Sequence, residues 1–309
     1  METIQDISLY KHLTSQTVIT IGTFDGVHLG HRKILERLIN SAKNTGLKST
    51  VLTFFPHPRM VLQKDTDIKL LNTIEEKTQI MEGLGLDYLI IHPFTKAFSR
   101  LSATQFVRDI LVNSLKAKKI IIGYDHRFGR NRNANIQDLI AFGNTLDFEV
   151  EEIPAQEIDD VSVSSTKIRN ALLEGDVATA NSYLSYAYML TGTVKKGKGL
   201  GKEFGFPTAN LHIAEAYKLI PKTGAYVVKS TLNGKEYFGM MNIGFNPTVS
   251  GTEKSIEVNF FEFDGNLYDQ KIQVDILHRI RDEHKFNSVE ELREQLKKDK
   301  NFSLDLISK

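Results

Sequence analysis

The segment Gly22-Thr-Phe-Asp25-Gly26-Val-His28-Leu-Gly30-His31 sets two imidazoles three residues apart among glycines that let a ligand approach the backbone. The apolar run Thr17 to Ile21 precedes it, and apolar residues at helical spacing follow at Ile34, Leu35, Leu38, Ile39 and Ala42. It therefore falls at a strand-to-helix junction, where the first helical turn offers free amides and a partial positive charge. Two imidazoles there can donate hydrogen bonds to a phosphate and stabilise charge that develops in a transition state. Either histidine alone reads as well as a surface residue or a metal ligand; the pair in this glycine spacing points to phosphate. A second candidate, Ser164-Ser165-Thr166-Lys167-Ile168-Arg169, opens a helical pattern that Gly175 would end. Its hydroxyls are ordinary helix caps, but with Arg169 one turn in they also offer hydroxyls, amides and a guanidinium to an anion.

Two strand ends supply flat or ring-bearing walls: Thr53-Phe54-Phe55-Pro56-His57-Pro58, suited to a planar heterocycle, and Gly123-Tyr124-Asp125-His126-Arg127-Phe128-Gly129, followed by Arg130 and Arg132. Phe54 or Phe55 alone is equally a core residue, and the arginines equally a solvated loop. In the C-terminal half, Gly197-Lys-Gly199-Leu-Gly201 precedes Gly205-Phe-Pro207-Thr208-Ala209-Asn210. The spacing is not that of a Walker A loop, yet glycine amides can wrap phosphate. Thr208 and Asn210 offer hard oxygen donors of the kind Mg²⁺ accepts while keeping water and nucleotide phosphates as its other ligands. Glu257, in strand phase with Asn259 and Phe261, is either an exposed strand residue or a carboxylate aimed into a barrel mouth, able to take a proton from an attacking alcohol.

These groups need two scaffolds, and 309 residues suffice for two domains. In the first part, Thr17 to Ile21, Thr50 to Phe55, Tyr88 to Ile91 and Lys119 to Ile122 read as strands buried on both faces, separated by helices. One helix opens on the capping box Ser102-Ala-Thr-Gln105 and carries Phe106, Ile110, Leu111 and Leu115. This predicts a doubly wound parallel sheet. After about Tyr183, Thr191 to Val194, Ala225 to Leu232, Tyr237 to Ile243, Ile256 to Phe263 and Lys271 to Leu277 read as strands of an antiparallel barrel. Hairpin turns are expected at Asn233-Gly234 and Asp264-Gly265. The capping box Ser288-Val-Glu-Glu291 opens a closing helix with Val289, Leu292 and Leu296 on one face. The expected domains are 1–182 and 183–309.

The 39 basic and 38 acidic residues nearly cancel, which argues against a nucleic-acid partner or an anionic membrane surface. Without cysteine there is no disulfide, thiolate nucleophile or cysteine zinc site. The first residues, METIQDISLYKHLTSQ, carry no apolar core of signal-peptide type, and a cytoplasmic location is expected.

In order and over nearly the whole chain, G-x-F-D-G-x-H-x-G-H, S-S-T-x-x-R, G-F-P-T-A-N-L and E-x-N-x-x-x-F-x-x-x-L-Y-D resemble the prokaryotic bifunctional riboflavin kinase/FMN adenylyltransferases, or FAD synthetases. The resemblance implies a nucleotidylyltransferase domain followed by a six-stranded riboflavin kinase barrel. In the first, His28 and His31 would contact ATP phosphates opposite Ser165, Thr166 and Arg169. Gly22, Phe24, Gly30 and Ser164 would also bind nucleotide, and Phe54, Pro56, His57, Pro58 and Asp125 the flavin. In the second, Gly197, Gly199 and Gly201 would hold ATP phosphates, Thr208 and Asn210 Mg²⁺, and Glu257 would be the base. Arg279 and Arg281 would lie in the flavin-side stretch that runs to Phe286. Substrates would be riboflavin, FMN and ATP, and the state a monomer or weak homo-oligomer. Two departures stand out: His126 where the family often has an aromatic ring, and Asn259 where a histidine is frequent. Rival readings are a nucleotidylyltransferase for another phosphorylated acceptor with a regulatory barrel, and a flavin- or RNA-binding regulator without turnover.

Overall fold

A computed structural model describes residues 1–7, 15–63, 67–154, 163–197, 201, 205–248 and 251–308. The chain forms two compact units, Met1–Ser164 and Ser165–Lys309.

The first unit holds β1 (Glu2–Ile4), β2 (Thr17–Ile21), α1 (Leu29–Thr45), β3 (Lys48–Phe55), α2 (Pro58–Leu62), α3 (Ile74–Gly83), β4 (Tyr88–Pro93), α4 (an α-turn Ala103–Gln105 running into a π-helical stretch, Phe106–Ser114), β5 (Ala117–Gly123), α5 (Ile136–Leu146) and β6 (Glu149–Ile153). The strands form one parallel sheet in the order β1-β4-β3-β2-β5-β6. All of β2 is buried, as a strand covered by crossover helices on both faces must be. Ile19, Ile21, Leu52, Ile90, Ile120 and Ile122 pack with Phe106, Leu111 and Leu139 on one face. Val18, Val51, Leu89 and Ile121 pack with Leu35, Leu38, Ile39 and Met81 on the other. The expected doubly wound sheet is present. Its edge strands β1 and β6 are absent from the sequence reading because three and five residues, with charges at Glu149, Glu151 and Glu152, carry little apolar signal. The Ser102/Gln105 capping box forms, but the helix it opens widens into π geometry.

The second unit begins with the helices α6 (Ser165–Glu174) and α7 (Val177–Leu184). The barrel strands are β7 (Tyr188–Lys195), β8 (Ala209–His212), β9 (Gly224–Leu232), β10 (Lys235–Thr248), β11 (Gly251–Phe260) and β12 (Lys271–Arg281), and α8 (Val289–Ile307) closes the chain. The strands make a closed barrel in the order β10-β11-β8-β7-β12-β9. The two helices join it through backbone partners: Asn181 donates to the Ile276 carbonyl and accepts from the Tyr188 amide, and the Lys222 amide donates to Leu172. They therefore belong structurally with the barrel, although the sequence reading ends the first domain at Ser182.

Asn233 and Gly234 both take positive φ between paired Leu232 and Lys235, as a type I′ hairpin needs. Asp264-Gly265 does not make the expected hairpin. β12 pairs with β7 and β9 rather than β11, so these residues lie in a longer connection whose positive φ values fall at Glu262 and Asp269. Ser288 caps α8, but Glu291 reaches back to the Asn287 amide instead of closing a box on Ser288.

Candidate active sites

From β2 the chain passes to β3 on one side, while β5 lies on the other, so the β2–α1 loop sits at the sheet's topological switch point, at the carboxyl ends of the strands. The loop is strained: Phe24 has φ 47°, Gly26 φ 88° and Val27 φ 38°, and Phe24 and Val27 are buried. Gly22 is needed beneath the Phe24 ring, which a Cβ would meet at 3.0 Å. His28 caps α1, its Nδ1 accepting from the His31 amide at 3.4 Å. That bond leaves the proton of a neutral His28 on Nε2, as a donor for a ligand. The rings of His28 and His31 stack with centroids 3.6 Å apart, and Phe24 meets His31 edge-on at 5.2 Å.

Burial pushes the His28 imidazole down to about 4, although Asp25 pulls the other way. Burial pushes His31 well below its ordinary value, with His28 and Lys77 adding to the effect. Its Nδ1 is buried without a hydrogen-bond partner. Lys77, 4% exposed, donates to the Thr23 carbonyl at 2.6 Å, and burial pushes its ammonium down to about 8. The sequence reading misses this residue; the available signal was a lysine on the apolar face of α3, four residues before buried Met81.

The wall residues divide. Phe54 packs on Phe94 and Phe98 at 5.6 and 5.5 Å. His57 caps α2, accepting from the Arg59 amide at 3.1 Å, between exposed Pro56 and half-buried Pro58. Asp125 is exposed at the end of β5. His126 is half-buried beside Phe128, its buried Nε2 without a partner and its imidazole pushed down to about 4 by desolvation. Gly30 is buried in the first turn of α1. Ser164 precedes α6; Ser165, Thr166 and Arg169 lie in its first turns, with Thr166 exposed and Arg169 half-buried.

In the barrel, β8 pairs with β11 so that Asn210 lies opposite Glu257, and Asn242 lies opposite Glu257 on β10. Cross-strand partners share a face. Ile256 and Val258, partners of Ile243 and Met241, fill the lumen, so Glu257 lies on the outer face of the wall rather than in the expected barrel mouth. The same face carries Met240 and Phe261, which pack with Phe206 and with Leu296 and Ile307 of α8. The Thr208 hydroxyl donates to Glu257 Oε2 at 3.2 Å. Buried Asn259 donates to the Pro207 carbonyl at 2.7 Å, which fixes the approach to Thr208. A Cβ on Gly197 would collide with the Asn210 side chain, and one on Gly201 with the Phe206 carbonyl. Gly199 lies outside the described residues.

Arg279 and Arg281 are engaged within the protein. Arg279 donates to the Thr223 carbonyl at 2.9 Å and to Asp282 at 2.6 Å. Arg281 forks onto Asp299 of α8 at 2.7–3.1 Å. Asp299 is 3% exposed and also accepts from Gln295.

Residues 10–167 match the family model described as FAD synthetase, and residues 184–307 the one described as riboflavin kinase. A curated bifunctional riboflavin kinase/FMN adenylyltransferase of Listeria monocytogenes is 39% identical, covering 91% of this chain and 90% of its own. The one from Bacillus subtilis is 36% identical over 97% and 95%. A solved structure described as a macrolide-efflux protein from Streptococcus pneumoniae superimposes with a TM-score of 0.87 at 31% identity, covering 98% of both chains. Among the described residues, no helix is long and apolar enough to cross a membrane. Fold and matched domains define a transferase built from two nucleotide-using halves. The chain belongs to the bifunctional riboflavin kinase/FMN adenylyltransferase family.

Proposed function

We propose that the barrel transfers the terminal phosphoryl group of ATP to the 5′-hydroxyl of riboflavin. The parallel-sheet unit then joins the resulting FMN to the AMP moiety of a second ATP and releases pyrophosphate. The observation that carries this reading is that one chain has both a stacked histidine pair at a sheet switch point and a carboxylate bonded to the threonine of P-T-A-N. An alcohol is a poor nucleophile, and Glu257 is the group suited to take its proton. A phosphate monoester, with a second pKa of about 6, is already charged at neutral pH. Its attack on the innermost phosphorus of ATP needs positioning and charge stabilisation rather than a base.

In this reading His28, through Nε2, and His31 bind ATP phosphates beside the N-terminus of α1. Ser165, Thr166 and Arg169 belong to the same adenylyl step, with Ser164, Gly22, Phe24 and Gly30 shaping the nucleotide's surroundings. Phe54, Pro56, His57, Pro58 and Asp125 take the flavin. The Thr208 hydroxyl and the Asn210 side-chain oxygen, beside a half-buried carboxylate, are a hard donor set that fits Mg²⁺. An ion held there would supply neutralisation of phosphate charge in the phosphoryl transfer. Gly197, Gly199 and Gly201 hold the phosphates of the kinase's ATP. Arg279 and Arg281, engaged with Asp282 and Asp299, shape the flavin-side stretch from inside it. The functional division is put at 182/183, in the interval between the two family matches, with α6 and α7 packed on the barrel. The enzyme is placed in the cytoplasm as a monomer or weak homo-oligomer, which sedimentation equilibrium would check.

The test is incubation of purified protein with riboflavin and Mg·ATP, followed by chromatographic separation of riboflavin, FMN and FAD. Successive appearance of FMN and FAD is expected; unchanged riboflavin, or FMN without FAD at long times, would contradict the reading.

A further inference from the structure

We infer that Lys77 is a positioning residue for adenylyl transfer, holding the β2–α1 loop in its phosphate-binding shape through the Thr23 carbonyl. The inference rests on the adenylyltransferase reading of that site. Lys77 Nζ donates to Thr23 O at 2.6 Å, and the Thr53 hydroxyl donates to the same oxygen at 3.2 Å, so both of its lone pairs are engaged. Two residues on, Asp25 Oδ1 accepts from the Leu71 amide at 2.9 Å. Residues 23–25 are thus bracketed by a cation and an anion that each reach between the loop and the segment 71–77. That segment is locked in turn by the buried capping box of Thr73 and Glu76, with bonds of 2.9 and 3.1 Å.

The bracket encloses Phe24, whose left-handed backbone is costly for a bulky residue and persists only where its surroundings over-determine it. The Phe24 ring abuts His31, so force on Thr23 is passed to the histidine stack. A buried ammonium is an expensive peg if only shape is needed. Its charge does more: balanced by Asp25, it also disfavours protonation of His31. The titratable groups that act on His31 are His28 from the loop and Lys77 from α3, and Asp25 acts on both of these. Removing Lys77 both loosens the loop and raises the proton affinity of His31.

The experiment uses the full chain with Lys77→Met and Lys77→Arg, assaying FMN adenylylation and riboflavin phosphorylation separately. For Lys77→Met, kcat for FAD formation falls about 100-fold, the cost of a small misplacement. The KM for ATP stays within about threefold, and phosphorylation is unchanged. The acid limb of the adenylylation pH profile moves to higher pH. Lys77→Arg recovers most of the loss. Adenylylation by Lys77→Met within about threefold of wild type overturns the inference, as does a loss with an unmoved acid limb and no rescue by arginine. If Lys77→Met also loses phosphorylation through misfolding, Lys77→Gln is read by the same criteria. A wild-type protein that makes no FAD overturns the adenylyltransferase reading itself, whereas an active wild type with an indifferent Lys77 overturns only this inference.

Discussion

The histidine pair and the Glu257 carboxylate sit in opposite surroundings. Around His28 and His31 the protein withholds water: the loop is buried and strained, and both imidazoles are held below their ordinary proton affinity. Around Glu257 it does not: the carboxylate is half-buried on the outer face of a barrel wall, bonded to one hydroxyl. The contrast follows the nucleophile. A phosphate monoester arrives charged and needs no base, so in the proposed reading the imidazoles serve as hydrogen-bond donors to ATP. A sugar alcohol arrives neutral and needs a base, the part proposed for the Glu257 carboxylate.

The comparison breaks first at Glu257. Glu257→Ala is expected to slow riboflavin phosphorylation by about 10² to 10⁴ while adenylylation of supplied FMN continues; a loss under threefold in a steady-state kinase assay would remove the base assignment. His28→Ala should do the reverse, costing adenylylation about 10² to 10³ with phosphorylation intact. Equal loss of both reactions would end the separation of roles. Asp299→Ala leaves the Arg281 guanidinium half-enclosed without its partner under α8 and should lower the barrel's stability by about 3 kcal/mol, read as an earlier denaturation of the second unit.

The pH dependence of the two sites should also differ. His28 has a folded pKa of about 4 against an ordinary 6.5, so its contribution is present above pH 6.5 and is lost as pH falls towards 4, because the unfolded chain binds the proton first. The full loss is about 3 kcal/mol. Amide exchange protection in β2 should fall over that window and fall less in His28→Gln; an equal fall in both would contradict it. The smallest effect expected is Gly234→Ala, about 1 kcal/mol, since Gly234 holds φ 78° in the β9–β10 turn and touches neither site.

Much of this architecture is legible in the sequence. Long central strands such as Tyr88–Pro93 declare themselves because burial on both faces demands unbroken apolar runs. The paired histidines of the β2–α1 loop declare themselves because glycine spacing and a strand-to-helix junction are local. What escapes is what depends on distant partners. β8 is four residues long and is a strand only because β7 and β11 flank it. Asp264-Gly265 has the composition of a hairpin turn, but barrel closure sends β12 to β7 and β9. Glu257 shows its strand phase in the sequence, yet which side of that strand is the lumen depends on the pairing of Val258 with Met241. Lys77 draws no notice in the sequence, because its ammonium meets the Thr23 carbonyl fifty-four residues back.

The most direct test of two independent phosphate chemistries on one chain is complementation in a single vessel. With riboflavin and Mg·ATP, Glu257→Ala protein alone should leave riboflavin unchanged and His28→Ala protein alone should stop at FMN, while an equimolar mixture should make FAD at a substantial fraction of the wild-type rate. FAD from either variant alone at a rate close to the mixture's, or none from the mixture, would contradict it.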